Sequence, residues 1–238
     1  MRLDDPEAVR AEYASEKRFA VRAALWERTE GPDAKGVALA ALAEVAPRRV
    51  LEVGCGRGDF AERVARELRA EVVAADLSPR MVELTRARGI ECRIADVQEL
   101  PFDDGEFDAA AANWMLYHAA DLDRSLSELS RVLRPGGRLV AATNSERNLD
   151  ELWSLFGDKA KRKHPFSAEN GAARLRRAFA HVEERPVAGG RVQLSREEAR
   201  DYVAASVVRS VLADDLPEEG WPLVTHRRVA VFVAEKAA

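Results

Sequence analysis

The chain has 238 residues, of which 47% are hydrophobic and 33% charged, with a formal net charge of -4. That length holds one α/β domain with an appended lid, or at most two small domains, and the apolar share supplies a full core and excludes a disordered chain. The acidic balance argues against a dedicated nucleic-acid binder, and two cysteines, Cys55 and Cys92, exclude a disulfide framework and lack metal spacing with any histidine pair.

The first residues, Met1-Arg2-Leu3-Asp4-Asp5-Pro6, are acidic and carry no apolar segment, so a signal peptide is not expected there. No apolar run reaches membrane-spanning length. Both features predict a soluble, cytoplasmic protein with reduced, buried thiols. Residues 7–30 read as one long helix, with Val9, Tyr13, Phe19, Leu25 and Trp26 interleaved with charges. Gly31-Pro32 breaks it, and Asp33 caps a second helix that runs to about Ala46.

Val50 to Val53 is a short β-branched and leucine run, which predicts a buried strand. It stops at Gly54, Gly56 and Gly58. Asp59 then offers a helix N-cap, and Phe60, Val64 and Leu68 repeat at helical spacing. Strand, glycine turn and helix make the front half of a βαβ nucleotide site, because glycine lets the backbone turn tightly and approach a ligand. A dinucleotide fingerprint would place its third glycine one residue later. Glu52, two residues before Gly54, would repel a pyrophosphate but attract an amine or a sulfonium.

Strand two is Glu71 to Ala75, ending at Asp76, 22 residues after Gly54. That is near the spacing at which a carboxylate takes both hydroxyls of a ribose, although Asp76 can also serve as a cap beside Ser78 and Pro79. Residues 79–88 form a helix carrying Met81, Val82 and Leu84, closed by Gly89. Strand three, Glu91 to Ala95, reaches Asp96, placed to accept from an adenine amine while Leu77 and Val97 sandwich the ring; a surface turn is the other reading of Asp96. Leu100 to Glu106 is a turn, and Phe107 to Ala112 is strand four by position more than by propensity, since alanine is a poor strand former. It delivers Asn113-Trp114-Met115-Leu116-Tyr117-His118 to the edge where open sheets bind ligands. His118 is the first candidate for a general base and Tyr117 the second; a structural role is the alternative for each.

Asp121 opens a helix with Leu122, Leu126, Leu129 and Leu133 on one face, and Leu133-Arg134-Pro135-Gly136-Gly137 turns it abruptly into a fifth strand, Arg138 to Thr143. Further on, Glu151 to Phe156 reads as helical, and Lys159 to His164 as a basic run in a solvated loop. Ser167 with Asn170 opens a helix carrying Leu175 and Phe179. His181–Val187 and Arg191–Leu194 are expected to pair as a hairpin through Gly189-Gly190. Ser195 with Glu198 is a capping-box pattern that begins a helix through about Leu212, with Tyr202, Val203, Val207 and Val211 on its apolar face. Arg228 to Ala234 is the final strand. The alternation of strands and helices predicts one doubly wound α/β domain with a mainly parallel sheet.

Glu52-x-Gly54-x-Gly56-x-Gly58, the acids after strands two and three, and the helix with Leu-Arg-Pro-Gly-Gly before strand five together resemble class I S-adenosylmethionine-dependent methyltransferases. The similarity covers residues 48–143 and is greatest to the small-molecule branch related to quinone-biosynthesis enzymes. It implies a Rossmann-like, seven-stranded sheet with the last strand inserted antiparallel beside strand five. It also implies one domain made of a lid helix over 1–30, a cofactor core over 33–143, an acceptor-side lid over 144–213 and a closing strand within 214–238. The implied cofactor is S-adenosylmethionine, held by Glu52, Gly54, Cys55, Gly56, Gly58, Asp76, Leu77, Met81, Asp96, Val97 and Asn113, with Tyr13 and Arg18 reaching its methionine end. The implied partner is a small-molecule methyl acceptor with an oxygen, nitrogen or carbon nucleophile, taken up by a monomer or homodimer, with no nucleic acid and no membrane involved. An Asn-Pro-Pro-Tyr type tetrapeptide after strand four, which amino-adenine methylating enzymes carry, is lacking. Two alternatives stay open: a nucleotide-dependent oxidoreductase, and a non-catalytic protein that binds S-adenosylmethionine.

Overall fold

A computed structural model describes residues 16–160, 164–187, 189–206 and 209–238, the side chains of residues 16–19, Glu27 and Pro186 apart. Helix α1 (Glu16–Glu27) and helix α2 (Ala34–Ala43) precede the sheet, and Asp33 caps α2 by accepting from the Lys35 amide at 3.0 Å. The core then alternates: β1 (Arg49–Val53), α3 (Asp59–Leu68), β2 (Glu71–Asp76), α4 (Pro79–Ala87), β3 (Glu91–Ile94), β4 (Phe107–Asn113), α5 (Leu122–Val132) and β5 (Leu133–Asn144). Short helices α6 (Asp150–Ser154) and α7 (Gly171–Leu175) lead to β6 (His181–Pro186), β7 (Gly190–Leu194), α8 (Arg196–Ala204), β8 (Leu223–Arg227) and β9 (Val229–Glu235).

Seven strands form one sheet in the order β3-β2-β1-β4-β5-β9-β6. Pairings among β1 to β5 are parallel, whereas β9 runs antiparallel to both β5 and β6. The doubly wound sheet with its reversed last strand is therefore as expected. Strand order turns back between β1 and β4, which puts the ends of these two strands at the switch point where open sheets bind ligands. Ala109 to Ala112 in β4 are fully buried between α5 on one face and α2 with α3 on the other. Tertiary position overrides the weak strand propensity of alanine here, and small side chains let helices approach both faces.

Helix α5 follows its sequence signals: Asp121 accepts from the Arg124 amide at 3.0 Å, and Leu122, Leu126, Leu129 and Val132 are buried. Ser195 and Glu198 form the anticipated reciprocal capping box at α8.

Five local expectations are corrected. Gly58, at φ 77°, is the N-cap of α3, so Asp59 is already helical and pairs with Arg88 instead of capping. Leu133 to Gly137 is not a turn before β5 but its first part; the register jumps from Phe107 opposite Leu133 to Ala109 opposite Arg138, so the Pro-Gly-Gly segment bulges out of the ladder. Strands β6 and β7 do not form a hairpin. β6 joins the main sheet beside β9, while β7 pairs antiparallel with β8, a strand the sequence reading missed, in a separate two-stranded sheet. Helix α8 ends at Ala204, before a 3-10 turn over Ser210–Asp215, and Val211 is 82% exposed. Val207 lies outside the described residues. Within the 144–213 segment, β6 is thus part of the sheet, whereas α6, β7 and α8 build a separate apolar cluster with Leu25 of α1, Leu152, Val192 and Val203 among its members.

Candidate functional site

A cavity of about 490 Å³ opens at the switch point. Its floor is the β1 end and the glycine turn. Gly54 and Gly56 both adopt positive φ, and a Cβ on Gly54 would come within 2.6 Å of Met115 Cβ, so the turns after β1 and β4 are in direct contact. Trp114 also takes a positive φ, 53°, and its indole donates to Asn144 Oδ1 at 3.0 Å.

Glu52 is 3% exposed at the end of β1, and its Oε2 has no hydrogen-bond partner. Burial pushes its carboxyl up to about 8, against the opposing pull of the Lys35 ammonium. Asp76, at the end of β2, accepts from the Gly56 amide at 3.0 Å and the Ser78 amide at 2.9 Å. Burial outweighs these donors and raises its pKa too. Ser78 is the cap of α4, which leaves Asp76 to brace the glycine turn. Two carboxylate oxygens offer about four acceptor sites, so Asp76 keeps capacity for a ligand. Asp96 receives the Gln98 amide Nε2 at 3.0 Å on each of its oxygens. Asn113, at the end of β4, leaves both Oδ1 and Nδ2 buried without partners.

The cavity wall contains Glu52, Gly54, Cys55, Gly56, Asp76, Leu77, Asp96, Val97, Asn113, Tyr117 and His118. Four expected cofactor residues are placed elsewhere or not at all. Met81 is fully buried in the sheet's core and does not line the cavity. Gly58 does not line it either: a Cβ there would come within 2.8 Å of Thr85 Oγ1, so this glycine serves helix packing. Tyr13 lies outside the described residues, as does the side chain of Arg18. Helix α1 instead contributes Arg22 and Trp26.

Tyr117 and His118 pack with their rings tilted at 59° and 4.4 Å between centres. Burial pushes the Tyr117 phenol up to about 12, so it is neutral near pH 7 and unsuited to act as a base. His164 packs edge-on to Tyr117 at 6.1 Å; burial, helped by the Arg209 charge, holds it near 4. The reading of Lys159–His164 as a solvated basic run is corrected at its end, because His164 turns inward while Lys159 pairs with Asp215. Residues 161–163 lie outside the described residues. Tyr202, read from the sequence on the apolar face of α8 that can pack on the domain or line the acceptor cavity, does line it, whereas Arg227 and Trp26 were missed as wall residues; Arg227 sits between the Trp26 and Trp114 rings, 5.1 and 5.4 Å from their centres. A lone arginine in a weakly patterned segment gives no sequence signal that it points inward.

A sheet of this order, with acidic groups at the ends of β1 and β2 and just after β3, is a Rossmann-like α/β fold with its ligand crevice at the switch point. Residues 51–141 match the methyltransferase-domain family. It is 46% identical to demethylmenaquinone methyltransferase of Thermus thermophilus over 104 residues, 41% of this chain and 47% of that protein. It is 36% identical to ubiquinone biosynthesis O-methyltransferase of Xanthomonas oryzae pv. oryzae over 141 residues, 53% of this chain and 59% of that one. The chain thus spans about half the length of the curated relatives it matches. Among solved structures, the [4+2]-cyclase SpnF shares the fold with a TM-score of 0.61 at 24% identity, over 86% of this chain and 80% of that one.

The residues present fit S-adenosylmethionine. An unpartnered buried carboxyl oxygen on Glu52 suits a cationic amino-acid tail, Asp76 suits a sugar diol, and Asp96 with Leu77 and Val97 suits a purine. No helix among the described residues is long and apolar enough to cross a membrane.

Proposed function

We propose that this protein transfers a methyl group from S-adenosylmethionine to a small-molecule acceptor. The observation that carries this reading is the Glu52 carboxyl oxygen, buried without a partner where the glycine turn leaves β1. A buried acceptor of this kind is costly unless a ligand completes it, and a pyrophosphate would not. When bound, the cofactor supplies an already activated methyl group on a sulfonium. The chain's task is then mostly alignment of an in-line displacement. Glu52, Asp76 and Asn113 hold the cofactor, and the Trp114–His118 segment forms the wall against which the acceptor is aligned. His118 removes a proton from the acceptor if the attacking atom carries one; Tyr117, kept neutral by burial, donates a hydrogen bond or packs against the ring. The accepting atom is not fixed by these residues. A small soluble acceptor taken from the cytoplasm, met by a monomer or homodimer without nucleic acid, completes the proposal.

Calorimetric titration with S-adenosylhomocysteine and with NAD tests the reading. Micromolar binding of the former and none of the latter is expected; the reverse overturns it in favour of an oxidoreductase. Binding without labelled methyl transfer to any of a broad metabolite panel would favour a non-catalytic binder. With an acceptor in hand, His118→Ala is expected to lower kcat by about 10²-fold or more while S-adenosylhomocysteine affinity stays unchanged. Unchanged turnover in a His118→Ala, Tyr117→Phe double variant would remove both residues from the chemistry.

A further inference from the structure

Arg227 closes β8 in the small two-stranded sheet, outside the matched residues 51–141, yet it lines the main cavity together with Glu52 and Asp76. A smaller recess of about 100 Å³ opens past Tyr117 and His118, where the wall includes His164 and Arg209. Arg227, Glu52 and Asp76 line only the larger space, so this arginine stands on the cofactor side. Its guanidinium lies over Trp26 and Trp114. Attraction to a ring face draws on the charge of the cation and consumes none of its five N–H donors.

The Arg227 Nε is buried without a hydrogen-bond partner. Burial lowers its pKa even though the Asp33 carboxylate pulls the other way. Asp33 is engaged elsewhere: it caps α2 through the Lys35 amide and pairs with Arg63 at 2.8 Å. A cation held out of water in this manner is costly until an anion reaches it. Glu52 does not pair with it, because the Glu52 Oε2 has no partner and the cation acting on that carboxyl is Lys35. Lys35 also lines the cavity and stands two residues from Asp33 at the start of α2. An unpartnered carboxyl and an uncompensated guanidinium thus border one cavity near the same helix end without meeting. An α-amino acid carries an ammonium and a carboxylate on one carbon, and would satisfy both.

We propose that Arg227, with Lys35, binds the α-carboxylate of the S-adenosylmethionine amino-acid end while Glu52 takes its ammonium. The inference rests on the S-adenosylmethionine reading of the cavity and adds a clamp that the glycine turn and the acidic strand ends do not supply. Arg227 stands on β8 and packs over Trp26 of α1, so holding the carboxylate ties the second sheet and the first helix to the cofactor core. Guanidinium–carboxylate bonds are charge-assisted and can be bidentate, whereas the Lys35 ammonium acts as a point charge. A ligand without the carboxylate would desolvate Arg227 and leave it uncompensated.

The test is calorimetric titration of the full chain with S-adenosylhomocysteine and with its decarboxylated analogue, which keeps the adenosine, the sulfur and the amine. The unsubstituted protein is expected to bind S-adenosylhomocysteine at least about tenfold more tightly than the analogue. Arg227→Gln should weaken S-adenosylhomocysteine at least about tenfold and leave the analogue within about twofold. Arg227→Lys should recover part of the loss, and Lys35→Met should act in the same direction. A merely structural role for Arg227 would weaken both ligands alike; that outcome, or S-adenosylhomocysteine affinity unmoved by Arg227→Gln, overturns the inference. If Arg227→Gln misfolds, amide exchange in the unsubstituted protein decides: saturating S-adenosylhomocysteine should protect Leu223–Arg227 more than the saturating analogue does, and equal protection overturns the inference. Failure of S-adenosylhomocysteine to bind would sink the S-adenosylmethionine reading; its binding without a carboxylate preference would sink only the Arg227 clamp.

Discussion

At the residue scale, Glu52 interrupts an otherwise apolar strand, and burial holds its carboxyl near 8. Its folded-state pKa lies above its unfolded value, so the stability it permits is fully present below about pH 4 and is lost as pH rises through about 8. Glu52→Gln is therefore expected to melt at a higher temperature than the parent at pH 8.5 and nearly alike at pH 4.5, the difference amounting to a few kcal/mol. An ammonium beside Glu52 favours its ionised form, which makes ligand binding release a proton. Affinity for S-adenosylhomocysteine should accordingly rise roughly tenfold from pH 6 to pH 7, with proton release seen by calorimetry in buffers of different ionisation enthalpy. A flat profile, or one unchanged by Glu52→Gln, would separate Glu52 from the ligand. Cys55 and Cys92, 3.6 Å apart and buried, are free thiols as their number suggested.

Elements show where local pattern was enough and where it was not. The turn after β1 was legible because each glycine has a physical reason: Gly54 meets Met115 and Gly58 meets Thr85. Gly58→Ala adds both a strained φ and a contact of 2.8 Å, and is expected to cost about 2 kcal/mol in denaturant unfolding, partly relieved by Thr85→Ala. The acids at the ends of β1 and β2 and just after β3 were equally readable, because strand ends in a parallel sheet face one crevice. Residues 181–194 were not. β6 and β7 alternate in the same way as hairpin strands, but their partners, β9 and β8, lie far along the chain, and alternation carries no information about partner choice. Arg22, His164 and Arg209 were lost for a related reason. They converge only because α1 and the segment after β5 fold over the same edge of the sheet.

For the whole molecule, two layers cooperate. The sheet and its helices form one body of packing, and a smaller apolar cluster of α1, α6, β7 and α8 lends Trp26 and Tyr202 to the cavity wall. Arg227, held between Trp26 of α1 and Trp114 after β4, couples them. Removal of residues 229–238 deletes β9 and with it both ladders that join β5 to β6, so cooperative unfolding should vanish rather than shift, as seen in a melt followed by circular dichroism. β9 is also synthesised after every strand it joins. While a ribosome is still making the chain, β5 presents a bare hydrogen-bonding rim and β6 has nothing to dock against, so the sheet seals only once Val229–Glu235 has cleared the exit tunnel. Slow translation of that last stretch would lengthen the window in which nascent copies can stick to one another, and chaperone demand should concentrate there.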